Sequence, residues 1–260
     1  MNKLFLPGVV WLASDIHLGP HTPATQRAFH AFLDKACAQA DALILCGDIF
    51  DAWVGDDVAL ANPEKWLADS LQKFKQVAAT IPLFIGRGNR DFLIGPQLVE
   101  YLGAQLLPET VCLSTDHQDV LLSHGDEYCT ADSSYQRFRR IVRNPLIQRA
   151  FLALSLRRRR QIADWARNRS QSANRYKAGN IMDVTPSAIE KAYTATGLTT
   201  IVHGHTHRPA IHRLQVNSQS CTRAVLPDWD FDHGAARGGW LSIDQHGLSL
   251  HMADAELLHV

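Results

Sequence analysis

The 260-residue sequence predicts a layered α/β domain interrupted by a helical insert. Three observations carry that expectation. Short apolar runs recur at residues 9–13, 42–46, 83–85, 120–122 and 200–202, each stopped by polar or glycine residues in the manner of buried strands. Between the first two runs, Phe29, Phe32, Leu33 and Ala36 fall at i, i+3, i+4 and i+7, which gathers them on one helix face. From 130 to 185 the strand-like runs stop, and helical spacing with dense basic residues replaces them.

Alternating strands and helices stack into layers and leave functional residues on the loops beyond the strand ends. A hydrophobic content of 46% can fill a sizeable core in a chain of this length. The apolar start, with its one lysine, could pass for a short signal peptide. It leads directly into Ser14-Asp15-Ile16-His17, so it reads instead as a buried strand feeding a site. No stretch approaches the roughly 18 consecutive apolar residues of a membrane-spanning helix. Past Pro209 the strand-like alternation returns, as at 239–243, with loops around Pro227-Asp228 and Gly238-Gly239.

Twenty-six basic and 26 acidic residues give a formal charge of zero, which by itself points to neither nucleic acid nor a membrane. The balance hides an asymmetry: between Arg137 and Lys177 lie thirteen of the 26 lysines and arginines and a single acid, Asp164. There the apolar stretch 150–156 precedes Arg157, Arg158, Arg159 and Arg160, with Trp165 nearby. That is the composition of an interfacial element, with apolar residues for acyl chains and cations for anionic head groups. A solvated basic helix face is the plainer alternative. Five scattered cysteines without a CxxC pair read as free thiols in a reducing, cytoplasmic setting.

Five motifs carry the chemistry, each just after one of the five apolar runs: Asp15-Ile16-His17, Gly47-Asp48-Ile49-Phe50-Asp51, Gly88-Asn89-Arg90-Asp91, His124-Gly125-Asp126 and Gly204-His205-Thr206-His207. In extended backbone, residues i and i+2 point the same way, so Asp15 with His17 and His205 with His207 can each chelate. Mixed imidazole and carboxylate ligands suit manganese, iron or zinc, whereas calcium wants nearly all oxygen and structural zinc wants thiolates. Two such ions clamp the attacking and leaving oxygens of a displacement at phosphorus.

The order DxH…GDxxD…GNxD…H…GHxH resembles the calcineurin-like metallophosphoesterase family, and it is complete between residues 15 and 207. Within it, the phrases GDIFDAWVGDD, GNRDFLIG, SHGDEYCTAD, SQSANRYKAGNIMDV and VHGHTHRPA look like the UDP-2,3-diacylglucosamine diphosphatases of lipid A synthesis. The resemblance implies a four-layer sandwich of two sheets flanked by helices, residues 1–129 and 186–260 forming the core and 130–185 a lid. It implies two divalent ions, typically manganese: Asp15, His17, Asp48 and His207 on one, Asp48, Asn89, His124 and His205 on the other, with Asp48 bridging. Substrate contacts carry over to Asn89, Arg90, Asp132, Ser170, Asn174, Lys177 and His205. The implied reaction attacks the phosphorus nearer uridine and gives UMP and 2,3-diacylglucosamine 1-phosphate, at the cytoplasmic face of the bacterial inner membrane.

Chemistry assigns the remaining roles. Two cations acidify a water into a hydroxide nucleophile with no dedicated protein base. Asp48 and His124, ligands by the resemblance, count as catalytic on that ground, and Arg90 offsets charge growing on the phosphoryl oxygens, a contribution on the order of 2.7–4 kcal/mol. Asp91 is placed to orient His124 through its free ring nitrogen. Ser170, Asn174 and Lys177 lie at i, i+4 and i+7 and offer one face to a sugar phosphate. The plainer expectations are that His203 and Asp51 support their loops, that Trp53 packs, and that His21, His30, His117, His212, His233, His246, His251 and His259 carry no role. Neither a nucleic-acid nor a protein partner is expected. Two rivals stand: a relative acting on soluble nucleotides with the same metal core, and a scaffold that keeps the fold without catalysis.

Overall fold

The computed structural model describes residues 2–174 and 183–253, with side chains described through 167 in the first segment. Three of the apolar runs form strands β2 (Val10–Ala13), β3 (Ala42–Leu45) and β4 (Leu83–Ile85), parallel and side by side. The short β5 (Gln105–Leu106) extends them on one side, and the antiparallel β11 (Gly238–Asp244) and β12 (Gly247–Ala253) extend them on the other. A second six-stranded sheet runs β1 (Lys3–Phe5), β6 (Thr110–Ser114), β7 (Asp119–Ser123), β8 (Thr200–His203), β10 (Gln219–Val225), β9 (Ala210–Val216). The other two runs are β7 and β8, parallel neighbours at its centre.

Period-2 alternation dictates how the sheets stack. Val10, Leu12, Ala42 and Ile44 face the second sheet, where Leu113, Val120, Leu122 and Val202 meet them. Their chain neighbours Trp11, Ala13, Leu43 and Leu45 face the other way, onto helices α1 (Pro23–Gln39), α3 (Lys65–Thr80) and α4 (Pro96–Leu102). The second sheet turns Leu121 and Ile201 outward onto Ile189 and Tyr193 of α8 (Pro186–Thr196). The result is four layers: helices, sheet, sheet, helix. The face predicted for the first helix is the buried one, since Phe29, Phe32, Leu33 and Ala36 are all fully buried. Phe32 and Trp240 each stack near Trp11, with ring centroids at 5.8 and 4.8 Å.

The chain start departs from expectation. It forms two strands in different sheets rather than one: the apolar start divides between β2 and β1, which lies at a sheet edge with Phe5 61% exposed. All five cysteines are free thiols, as expected.

Between β7 and α8 the chain forms α5 (Ser133–Val142), α6 (Pro145–Leu152) and α7 (Leu156–Asn174). Asp132 accepts the Tyr135 amide at 3.0 Å and caps α5, and Asn144 does the same for α6. Two expectations about this segment change. Phe151, inside the apolar stretch 150–156, packs partly against the core, while the most open apolar side chains described in the segment are Leu146 and Trp165, 75% and 62% exposed. Arg159 is not a surface cation: it is buried, donates to the Val54 and Leu154 carbonyls and pairs with Asp57 of α2 (Asp57–Ala61). Helical periodicity turns one member of the arginine run inward.

The first helix borrows its N-cap. Thr22 makes no side-chain cap bond, and Asp232, far along the chain, accepts the Ala24 and Thr25 amides at 2.9 and 2.8 Å. Burial raises the Asp232 pKa, but these bonds and His233 outweigh it, and the net shift is downward. A lowered carboxyl stabilises the fold above its unfolded pKa, about 3.9, and loses that contribution as the pH falls. Asp232→Ala is expected to lower unfolding free energy by about 1 kcal/mol at neutral pH. Urea titrations should show the gap from wild type narrowing below about pH 4.

Candidate metal centre

All five motifs follow strand C-termini. The first sheet delivers Asp15 and His17 after β2, Asp48 after β3 and Asn89 after β4. The second delivers His124 after β7 and His205 with His207 after β8. The site therefore straddles the seam between the sheets.

Two groups of ligand-type side chains converge, Asp15 with His17 and His207, and Asp15 with Asp48 and His124, each set of ligand atoms lying within 4.8 Å of one another. His207 Nε2 stands 3.4 Å from Asp15 Oδ1 and 3.4 Å from His17 Nε2. Asp48 Oδ2 lies between the groups, 4.0 Å from His17 Nδ1 and 3.7 Å from His124 Nε2. Asn89 Oδ1 is 3.1 Å from His124 Nε2, and the His205 ring centroid is 5.3 Å from that of His124.

The backbone is bent to achieve this. Among the described residues, seven non-glycine positions have positive φ, and five of them are Asp15, His17, Asp48, His205 and His207. Each left-handed residue costs roughly 1–2 kcal/mol, so the surrounding fold must hold these loops in place. Asp91 does so for one loop, accepting the Gly88, Asp48 and Ile49 amides at 2.7, 3.1 and 2.7 Å. A Cβ on Gly88 would overlap Asp48 Oδ1, so glycine is required where the two loops touch. Gly204 is constrained likewise by Asp15 Oδ2, which accepts the His205 amide at 2.9 Å.

These residues fit divalent cations. Asp15 Oδ1 and His17 Nδ1 are buried without a hydrogen-bond partner, the state of donors that await a cation. Burial would raise the Asp15 pKa, but the close approach of His207 and the charges of the neighbouring imidazoles hold it well below the usual range. Burial instead pushes Asp48 up to about 7. His124, despite burial, is lifted to about 9 by Asp48 and Asp15, while burial and His124 lower His205 to about 4. Carboxylates and imidazoles share protons in positions where cations compete for the same lone pairs.

The expected link between Asp91 and His124 is absent. Asp91 is occupied by amides, and His124 Nδ1 meets the Cys46 carbonyl at 3.2 Å, a partner with no sequence signature. His203 supports its loop as expected: Nδ1 is 2.8 Å from the Gly204 carbonyl and Nε2 3.1 Å from Arg223. Trp53 packs on Phe50. Arg90 reaches the centre, its Nε 3.8 Å from Asp48 Oδ2. Asp132 lies at the start of α5, whereas Lys177 and the side chains of Ser170 and Asn174 lie outside the described residues.

Three further contributors had no role assigned from the sequence. Asp228 Oδ2 is 3.4 Å from His207 Nδ1 and takes Arg237 at 2.8 Å. Asp126, inside the His-Gly-Asp motif, is buried and accepts from the Tyr135 hydroxyl at 2.5 Å and Arg139 Nε at 2.8 Å. Tyr135 in turn stacks on His205 with centroids 6.0 Å apart. The motif flagged Asp126; nothing flagged Asp228 or Tyr135.

Fold and centre together define a binuclear metallohydrolase architecture. The calcineurin-like phosphoesterase family model matches residues 8–209, and the chain belongs to that family. A UDP-2,3-diacylglucosamine hydrolase of Bordetella parapertussis is 56% identical over 249 residues, covering 95% of this chain and 96% of the relative. Proteins of the same name from Serratia proteamaculans and Pseudomonas fluorescens are 43% and 39% identical, covering 88% and 95% of this chain and 91% and 96% of theirs.

Removing a carboxylate that orients a ligating imidazole typically costs 10–100-fold in metal affinity. Asp228→Ala is expected to weaken manganese binding by about 10-fold or more, read from a titration isotherm, with an unchanged circular dichroism spectrum.

Proposed function

We propose that this chain hydrolyses the pyrophosphate of UDP-2,3-diacylglucosamine, releasing UMP and 2,3-diacylglucosamine 1-phosphate. The observation that carries the substrate is the 56% identity to a hydrolase named for it, running through 249 of 260 residues and so through the insert as well as the core. The convergent ligand set supports the reaction class.

In this reading Asp15, His17, Asp48 and His207 hold one ion, Asp48, Asn89, His124 and His205 hold the other, and manganese is the metal. The ions, when bound, acidify a water and offset charge on phosphorus. Asp48 and His124 act as catalytic ligands. Arg90, carried on the same loop as Asn89, faces the open side of the centre and stabilises the phosphoryl oxygens. Asn89 and His205 border the same space and touch substrate.

Residues 130–185 form the lid in this proposal, with 1–129 and 186–260 as the core. Asp132, Ser170, Asn174 and Lys177 contribute to the glucosamine phosphate from the lid. No helix among the described residues is long and apolar enough to cross a membrane. The exposed Phe138, Ile141, Leu146 and Ile147 on α5 and α6 support contact with acyl chains and with the cytoplasmic face of the inner membrane.

Incubation with purified UDP-2,3-diacylglucosamine and manganese should release UMP, and Asp48→Asn should reduce that release by at least about 100-fold, as for loss of a central charge-stabilising group. Hydrolysis of a soluble nucleotide diester but not of the lipid nucleotide would favour a soluble-substrate relative. Tight manganese binding with no hydrolysis of either would favour a scaffold. Replacing Leu146 and Ile147 together with Asp should raise KM for the diacylated substrate several-fold, the loss of about 1 kcal/mol or more of apolar burial, and leave soluble diester hydrolysis unchanged.

A further inference from the structure

Arg90 is fixed at its backbone from both sides. Its amide donates to Asp48 Oδ1 at 2.8 Å, and its carbonyl accepts the Trp53 amide at 3.1 Å. Only the guanidinium remains to be aimed, and two carboxylates of the same GDxxD motif compete for it. Arg90 Nη1 donates to Asp51 Oδ1 at 2.6 Å, while Nε stands 3.8 Å from Asp48 Oδ2. Asp51 is a firm anchor, because its own amide donates to the Leu18 carbonyl at 3.0 Å beside the bridge that pairs Leu18 with Phe50.

Asp51 serves a second cation. Arg167 of α7 pairs with Asp51 Oδ2, and its Nη2 donates to the Asp51 carbonyl at 2.9 Å. One carboxylate thus takes an arginine of the metal loop on one oxygen and an arginine of the insert on the other. Without it, two guanidinium groups would face each other with no charge between them, and the nearest acid left to Arg90 would be Asp48.

We propose that Asp51 is a positioning residue, which aims Arg90 at the phosphoryl group, keeps it off the Asp48 carboxylate and ties that aim to the docking of α7. This rests on the phosphoryl-stabilising role given to Arg90 above. A carboxylate drawn onto a guanidinium is a weaker ligand, so an Arg90 released from Asp51 would lower both turnover and metal affinity.

A double-mutant cycle separates that route from a structural one. Asp51→Asn keeps shape and removes charge; it should lower kcat about 10-fold or more and weaken manganese binding, measured by electron paramagnetic resonance of the free ion. In an Arg90→Ala background the same change should alter neither quantity. Equal losses in both backgrounds, or no loss in either, would overturn the proposal, as would a fall in melting temperature that tracks the lost activity. Rates are read on UDP-2,3-diacylglucosamine and on bis(4-nitrophenyl) phosphate. If wild type acts only on the second, the substrate assignment fails while the cycle is still decided there, and the manganese isotherms decide it even with no turnover.

Discussion

The structure depends on keeping two carboxylates, Asp15 and Asp48, almost wholly out of water and close to several imidazoles. Buried charges of this kind are tolerated only when amides, cations or protons compensate them. The parallel strands supply the platform, since their C-terminal ends aim loops from both sheets at one point. Backbone amides then take up the outer oxygens: His205 donates to Asp15, and Arg90 to Asp48. Five left-handed ligand residues record the strain of turning each side chain inward.

Much of this was legible in the sequence because the signals are local. Apolar runs marked the central strands within a residue or so, Phe29, Phe32, Leu33 and Ala36 marked the buried face of α1, and the motif glycines marked loops that touch. What escaped was either peripheral or long-range. Strand β1 sits at an edge, and no local pattern says that the apolar start divides between two sheets. Asp228 meets His207, and Asp232 caps α1, across separations that no local spacing encodes. Asp91 is expected to partner His124, yet three amides claim it, and backbone amide donors occur at every non-proline position and so leave no mark in a sequence.

The insert does more than its composition suggests. Its cations suggested a surface for anionic head groups, but four of them are engaged with the core. Arg139 reaches Asp126 beside His124, Arg143 donates to the Gly88 carbonyl beside Asn89, Arg159 holds Val54 and Asp57, and Arg167 holds Asp51. Each lands on a loop that follows a ligand-bearing strand. Sequence composition counts charges without saying which way they face, so a segment that reads as a basic surface is also a brace. Arg137, Arg140, Arg149, Arg157, Arg158 and Arg160 stay exposed, so its outward face carries cations beside the apolar side chains of α5 and α6.

The placement of ligands astride the seam has a mechanical corollary. The sheets meet through packed aliphatic side chains, a contact made of many weak, non-directional attractions. Cations seated between Asp15 and His207, or Asp48 and His124, would cross-link strands more than 70 residues apart in the chain. Ions held there would help to fix the lateral offset of one sheet on the other, and with it the width of the cleft between the loops of this chain.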